Sequence, residues 1–134
     1  MKLVISRSNY AQIVAHVQIG LPNETCGLLG GQTGVVQKVY PIENLRHSPV
    51  AYQMDPAQQI ETMLAIEAAG WELTGIYHSH PNGPPAPSAT DIAQAYYPES
   101  IYVILSPGTA GEWQARAFVI DGGRAQAVRL EIVE

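Results

Sequence analysis

Residues 73–91 read LTGIYHSHPNGPPAPSATD, and the two histidines, the serine and the aspartate in that stretch are residue types that make a metal centre. Leu73 to Tyr77 is a short apolar run with the pattern of a buried strand, and it leads directly into His78-Ser79-His80-Pro81. In extended backbone, residues i and i+2 point to the same side, so the imidazoles of His78 and His80 converge on one point. Ser79 points the other way and is expected to hydrogen-bond inside the fold. Pro81 stops the strand, and Asn82 to Pro87, with three more prolines and a glycine, predicts a stiff loop. Ser88 is placed to cap a following helix, which puts Asp91 in its first turn. Two nitrogens and a carboxylate oxygen, with a fourth position left for water, describe a catalytic zinc site, whereas a structural site is more often closed by cysteines.

This ordered set resembles the JAMM motif of the MPN+ metalloproteases: His-Ser-His-Pro, Ser88 after the segment Pro81 to Pro87, then two residues and Asp91. That family also requires an upstream glutamate, in a setting similar to Glu24-Thr25-Cys26-Gly27-Leu28-Leu29-Gly30. The resemblance covers nearly the whole chain. It implies that His78, His80 and Asp91 hold Zn2+, that Glu24 takes a proton from water and hands it to the leaving group, and that the Ser88 hydroxyl donates to a developing oxyanion. Taken singly each residue has a plainer account: Glu24 as a solvated glutamate after a turn, Ser88 as a helix cap, Asp91 as a first-turn acid favoured by the helix dipole. All five in this order around a Pro-rich loop are improbable by chance.

The family resemblance further implies cleavage of an amide at the C-terminal Gly-Gly tail of a ubiquitin-like or sulfur-carrier protein. The tail would lie in a narrow groove walled by the Asn82 to Pro87 loop and the Asn44 to Asp55 segment. Two rival classes exist. A non-catalytic MPN-type binding or scaffold module lacks the ligands that are complete here, and a zinc deaminase carries a Pro-Cys-x-x-Cys pair that a chain with one cysteine cannot supply. A Cys26 thiolate paired with a histidine is disfavoured because Cys26 runs into Gly27-Leu28-Leu29, a core-like sequence where small buried thiols are common.

The elements that must position these residues follow from the rest of the chain. With 134 residues, one domain spanning 1–134 is expected. Leu3 to Ile5 reads as a brief edge strand, and Ser6 caps a helix to about Ile19. Glu24 opens a strand Thr25 to Gly30 that forms a hairpin with Val35 to Tyr40. Asp55-Pro56 begins a helix to about Ala69, with Ile60, Met63, Leu64 and Glu67 as the stripe that lies on the sheet. Ile101 to Leu105 reads as a central strand, and Trp113 to Ile120 with Ala125 to Val133 as an antiparallel pair joined at Asp121-Gly122-Gly123. His16 and His47 fall outside the site, on a helix and in a solvated loop, and Tyr96 and Tyr97 read as packing residues. This order predicts a single-domain α/β layered fold. The family resemblance implies a mixed curved sheet with a long helix on each side, similar to the cytidine-deaminase arrangement.

Charge and hydropathy narrow the partners. A formal charge of −5 and seven scattered basic residues exclude a nucleic-acid surface. No stretch approaches the roughly 18–20 apolar residues of a membrane span, and Met1 to Ser6 is too short for a signal peptide. A single cysteine fits a reducing compartment, so a cytoplasmic location is expected. These residues do not fix the oligomeric state, and a homodimer is allowed.

Overall fold

A computed structural model describes residues 1–134. Ser6 ends strand β1 (Lys2–Ser6) and caps helix α1 (Arg7–Gly20), its hydroxyl accepting the Asn9 amide at 3.1 Å. Strands β2 (Cys26–Gln32) and β3 (Val35–Ile42) form a hairpin through Thr33-Gly34, whose φ values of 50° and 76° are those of a type I′ turn. Helix α2 (Pro56–Ala68) is capped by Asp55, which accepts from the amides of Ala57 and Gln58. Strand β4 (Glu72–Ser79), the short helix α3 (Ala89–Ala93) and strands β5 (Ile101–Pro107), β6 (Trp113–Asp121) and β7 (Arg124–Val133) complete the chain.

The strands join in the order β1-β3-β2-β4-β5-β6-β7, so the expected mixed curved sheet closes into a barrel. This closure corrects the placing of β1 at an edge. The cause is the length of β7: its first half, Arg124 to Val128, pairs with β6, and its second half, Arg129 to Val133, runs parallel to Lys2 to Ser6. Strand β1 also touches β3 at Val4 and Val35. The β1–β3 contact that closes the ring is a single residue pair, so closure rests mainly on the five-residue pairing of β1 with β7.

At the centre, β2 lies antiparallel to both β3 and β4, and β4 runs parallel to β5. Alternation gives these central strands two distinct faces. Leu29, Tyr77, Val103 and Leu105 pack with Ile13 and Val17 of α1, while Leu28, Ile76, Tyr102 and Ile104 pack with Ile66 of α2. One long helix therefore covers each face, as expected. A side chain at Gly27 would run into the Tyr77 ring, so glycine leaves room for that ring, whose hydroxyl lies 2.7 Å from His16 Nδ1.

Helix α2 presents a different stripe from the expected one. Ile66 is buried and Met63 half-buried against the sheet, whereas Ile60 and Leu64 are 60% and 61% exposed. The Gly70 turn (φ 78°) folds Trp71 back onto the helix end, where its amide donates to the Ile66 carbonyl at 3.1 Å. That reversal selects the Ile66 side for burial. No helix is long and apolar enough to cross a membrane.

Candidate metal centre

The end of β4 delivers the two histidines to the α2 face. His78 is the last-but-one residue of β4, opposite Cys26 on β2, and His80 lies one residue past the strand, its amide still donating to the Leu105 carbonyl at 2.8 Å. Ser79, between them, turns inward as expected: its hydroxyl accepts the Thr25 amide at 2.9 Å and lies 3.2 Å from the Thr25 hydroxyl. This link fixes the end of β4 to the residue next to Glu24.

Asp91 arrives from the third side. Ser88 caps α3 as expected, accepting the Asp91 amide at 3.0 Å, while the Ser88 amide donates to Asp91 Oδ2 at 2.8 Å. The helix is shorter than its sequence suggests and ends at Ala93, because Gln94 and Ala95 turn out into the connection toward Tyr97. Asp91 Oδ2 lies 3.1 Å from His78 Nε2 and 3.0 Å from His80 Nε2, and the two nitrogens are 3.1 Å apart.

That triangle suits a tetrahedral cation. Ligands held at about 2.0–2.1 Å around a tetrahedral ion sit roughly 3.3 Å from one another. His80 Nδ1 lies 2.8 Å from the Pro84 carbonyl, which can only accept, so Nδ1 carries the proton and Nε2 of the neutral ring presents a lone pair inward. Lone pairs crowded at 3.1 Å repel unless a proton or a cation lies among them. The residues present therefore fit a metal ion. The Pro84 contact also gives the stiff 82–87 loop its task of orienting the His80 ring.

Glu24 lies two residues before β2, which begins at Cys26 rather than at the expected Thr25, and it is buried rather than solvated. The candidate ligand atoms of Glu24, His78 and His80 lie within 4.8 Å of one another, so the structure brings all five predicted residues together. Burial pushes the Glu24 carboxyl up to about 7, His80 drawing it down and Asp91 adding to the rise. For Asp91 in the metal-free chain, where a proton stands in for the cation between the rings, burial acts upward, but hydrogen bonds from His78 and His80 outweigh it and hold the carboxyl well below its usual range. Burial lowers His78; at His80 the same effect is overcome by Asp91 and the Pro84 carbonyl, and the imidazole is raised.

Cys26 shares the face but not the chemistry. Its thiol is fully buried, donates to the Ile42 carbonyl at 3.5 Å and is pushed by burial up to about 12, far from a thiolate. His16 is held by Tyr77 on the other face, and the exposed His47 approaches only Glu43, at 3.9 Å.

Two residues of the 44–55 segment escaped the sequence reading. The Tyr52 ring stacks on His78 with centroids 4.7 Å apart, and the buried Asn44 bonds to the carbonyls of Glu24 and Ala51. Nothing in spacing singles out an aromatic or an asparagine in a polar loop. A groove of about 460 Å³ opens beside Tyr52, with Arg46, Gln53 and Met54 on one wall and Gln94, Tyr96 and Tyr97 on the other. The 44–55 segment lines this groove and the 82–87 loop does not. Tyr97 packs into the core beside α2, but Tyr96 is 75% exposed and is no packing residue.

This fold and the clustered His, His, Asp and Glu define a hydrolase domain of the JAMM metalloprotease type. Residues 6–120 match the family described as "Prokaryotic homologs of the JAB domain", and the chain belongs to that family. A desampylase of Haloferax volcanii is 40% identical over 79% of this chain and 84% of its own. A CysO-cysteine peptidase of Mycobacterium tuberculosis is 31% identical over 98% and 92%. A protein of Desulfitobacterium hafniense, solved in solution, superposes with a TM-score of 0.88 at 33% identity, covering 100% of this chain and 94% of its own.

Proposed function

We propose that the chain is a zinc metallopeptidase, or isopeptidase, that hydrolyses an amide at the C-terminal Gly-Gly tail of a ubiquitin-like or sulfur-carrier protein in the cytoplasm. The convergence of His78 Nε2, His80 Nε2 and Asp91 Oδ2 on one point beside a buried glutamate carries this reading. The relatives named as a desampylase and a CysO-cysteine peptidase support the substrate class. The central strands β2, β4 and β5, with α1 and α2 on opposite faces, support a cytidine-deaminase-like core.

His78, His80 and Asp91 would hold the ion, which when bound polarises a carbonyl and lowers the pKa of water toward neutrality. Glu24, not needed as a ligand, accepts the water proton at its carboxylate and returns it to the leaving nitrogen. Ser88 Oγ spends a lone pair on the Asp91 amide, so its own O–H stays free to donate to the oxygen that gains charge. The groove beside Tyr52, whose ring stacks on His78, would seat an extended glycine-rich tail.

Ser88→Ala separates the two duties of that hydroxyl. Loss of the cap costs about 1 kcal/mol of stability, read by thermal or urea unfolding. Loss of the oxyanion donor lowers kcat by about 10²- to 10³-fold. A variant that loses only stability leaves Ser88 as a cap.

The reading is tested by incubating the protein with a ubiquitin-like carrier whose Gly-Gly tail is extended by one cysteine, with and without a chelator, and weighing the carrier by mass spectrometry. The expected result is a loss of one cysteine residue in the metal-replete arm alone. Intact carriers in both arms, across several carriers and with protein-linked conjugates, would leave a binding module.

A further inference from the structure

We infer that Asn44 is a positioning residue for catalysis, holding Glu24 and the His78-stacked Tyr52 in place from one buried amide; this rests on the reading of Glu24 as the base. Glu24 lies outside the β2 ladder, so the sheet does not fix its backbone. Its amide donates to the Ser48 carbonyl at 2.8 Å, and its carbonyl accepts from Asn44 Nδ2 at 2.9 Å. Both partners belong to the 44–55 segment.

Asn44 uses all of its capacity there. Nδ2 also donates to the Ala51 carbonyl at 3.1 Å, and Oδ1 accepts the amides of Arg46 and Gln53, each at 3.0 Å. The residue is 9% exposed and pairs with Met54 in an isolated bridge. One side chain thus closes the loop on itself, with Tyr52 between two of its anchor points, and ties the closed loop to Glu24. Only a short arm bearing two donors and an acceptor can do this: aspartate would set an oxygen against two carbonyls, and glutamine is one methylene too long. A base that drifts by about an ångström loses on the order of 10²-fold in rate, so the clamp bears on turnover more than on substrate binding.

The experiment compares Asn44→Ser and Asn44→Gln with the unaltered chain, alone and in a Glu24→Gln background, with the Gly-Gly-Cys-extended carrier as probe. Expected for Asn44→Ser is a kcat lowered about 10- to 100-fold with KM little changed and zinc still near one per chain. Hydrogen exchange should speed up at the Glu24 amide and stay slow at Leu28 and Leu29. In the Glu24→Gln background the same substitution should cost markedly less, because the base, one of the two groups it positions, is already gone and only the hold on Tyr52 is left to lose. An equal loss in both backgrounds, or exchange that quickens throughout β2, overturns the proposal in favour of a general structural role. Asn44→Gln, which keeps both donors and the acceptor on a longer arm, serves where the serine variant fails to fold, with the same expectations. Full turnover in Glu24→Gln alone would sink the base reading instead, a separate outcome from the failure of Asn44.

Discussion

Glu24→Gln is expected to leave one zinc per chain in place and to lower turnover by about 10²- to 10⁴-fold. Glutamine keeps the shape and the polarity of the side chain, and the carboxylate is not one of the three atoms in the tight His, His, Asp triangle, so the ion has no reason to leave. What disappears is the proton acceptor. In the metal-free chain burial raises this carboxyl to about 7, and a dication held by the neighbouring triangle would draw it down again. The same burial predicts a gain in stability. The folded-state value lies above the ordinary 4.5, so protonation favours the folded state, and stability declines as pH rises from about 4.5 through about 7. In metal-free protein the glutamine variant should therefore melt at or above the temperature of the unaltered chain, with its advantage growing across that window. A stability penalty together with undiminished turnover would remove Glu24 from the chemistry and make it a packing group.

The asymmetry between site and scaffold follows from what each depends on. His78, His80, Ser88 and Asp91 sit within fourteen residues, where strand alternation, a proline stop and a helix cap dictate direction locally, and the structure places their side chains together. The hairpin turns at Thr33-Gly34 and Gly122-Gly123 were legible for the same reason, since positive φ leaves a mark in residue type. Barrel closure was not, because it depends on pairing the two chain ends: Lys2 to Ser6 and Arg129 to Val133 carry ordinary strand patterns with no sign of which partner each takes. On α2, Ile60, Met63, Leu64 and Ile66 offer two apolar stripes, and only the reversal at Gly70 decides between them. Asn44 and Tyr52 act through backbone groups and ring faces brought together by the fold, and such contacts have no spacing to read.

Substitution of the ligands has the other large expected effect, and Asp91 offers the sharper test. Asp91 serves both α3 and the imidazoles through the same carboxylate, so Asp91→Ala loses the ligand together with the bond to the Ser88 amide, while the Ser88 hydroxyl still caps the helix. Asp91→Asn keeps an oxygen for the Ser88 amide while giving up the charge that the two imidazoles and a dication require. Zinc content by atomic absorption should fall from about one per chain to near zero in Asp91→Ala and His78→Ala, and fall steeply in Asp91→Asn. Unfolding supplies an independent reading. At a free zinc concentration about 1,000 times Kd, binding stabilises the folded chain by about 4 kcal/mol, on the order of 10 °C in Tm for a domain of this size. That increment should vanish in both alanine variants and shrink in Asp91→Asn. Full zinc occupancy in Asp91→Ala and His78→Ala alike would show that the ion, if bound, is held elsewhere. Occupancy lost only in His78→Ala would move the third ligand to Glu24, whose carboxylate lies within 4.8 Å of both histidines.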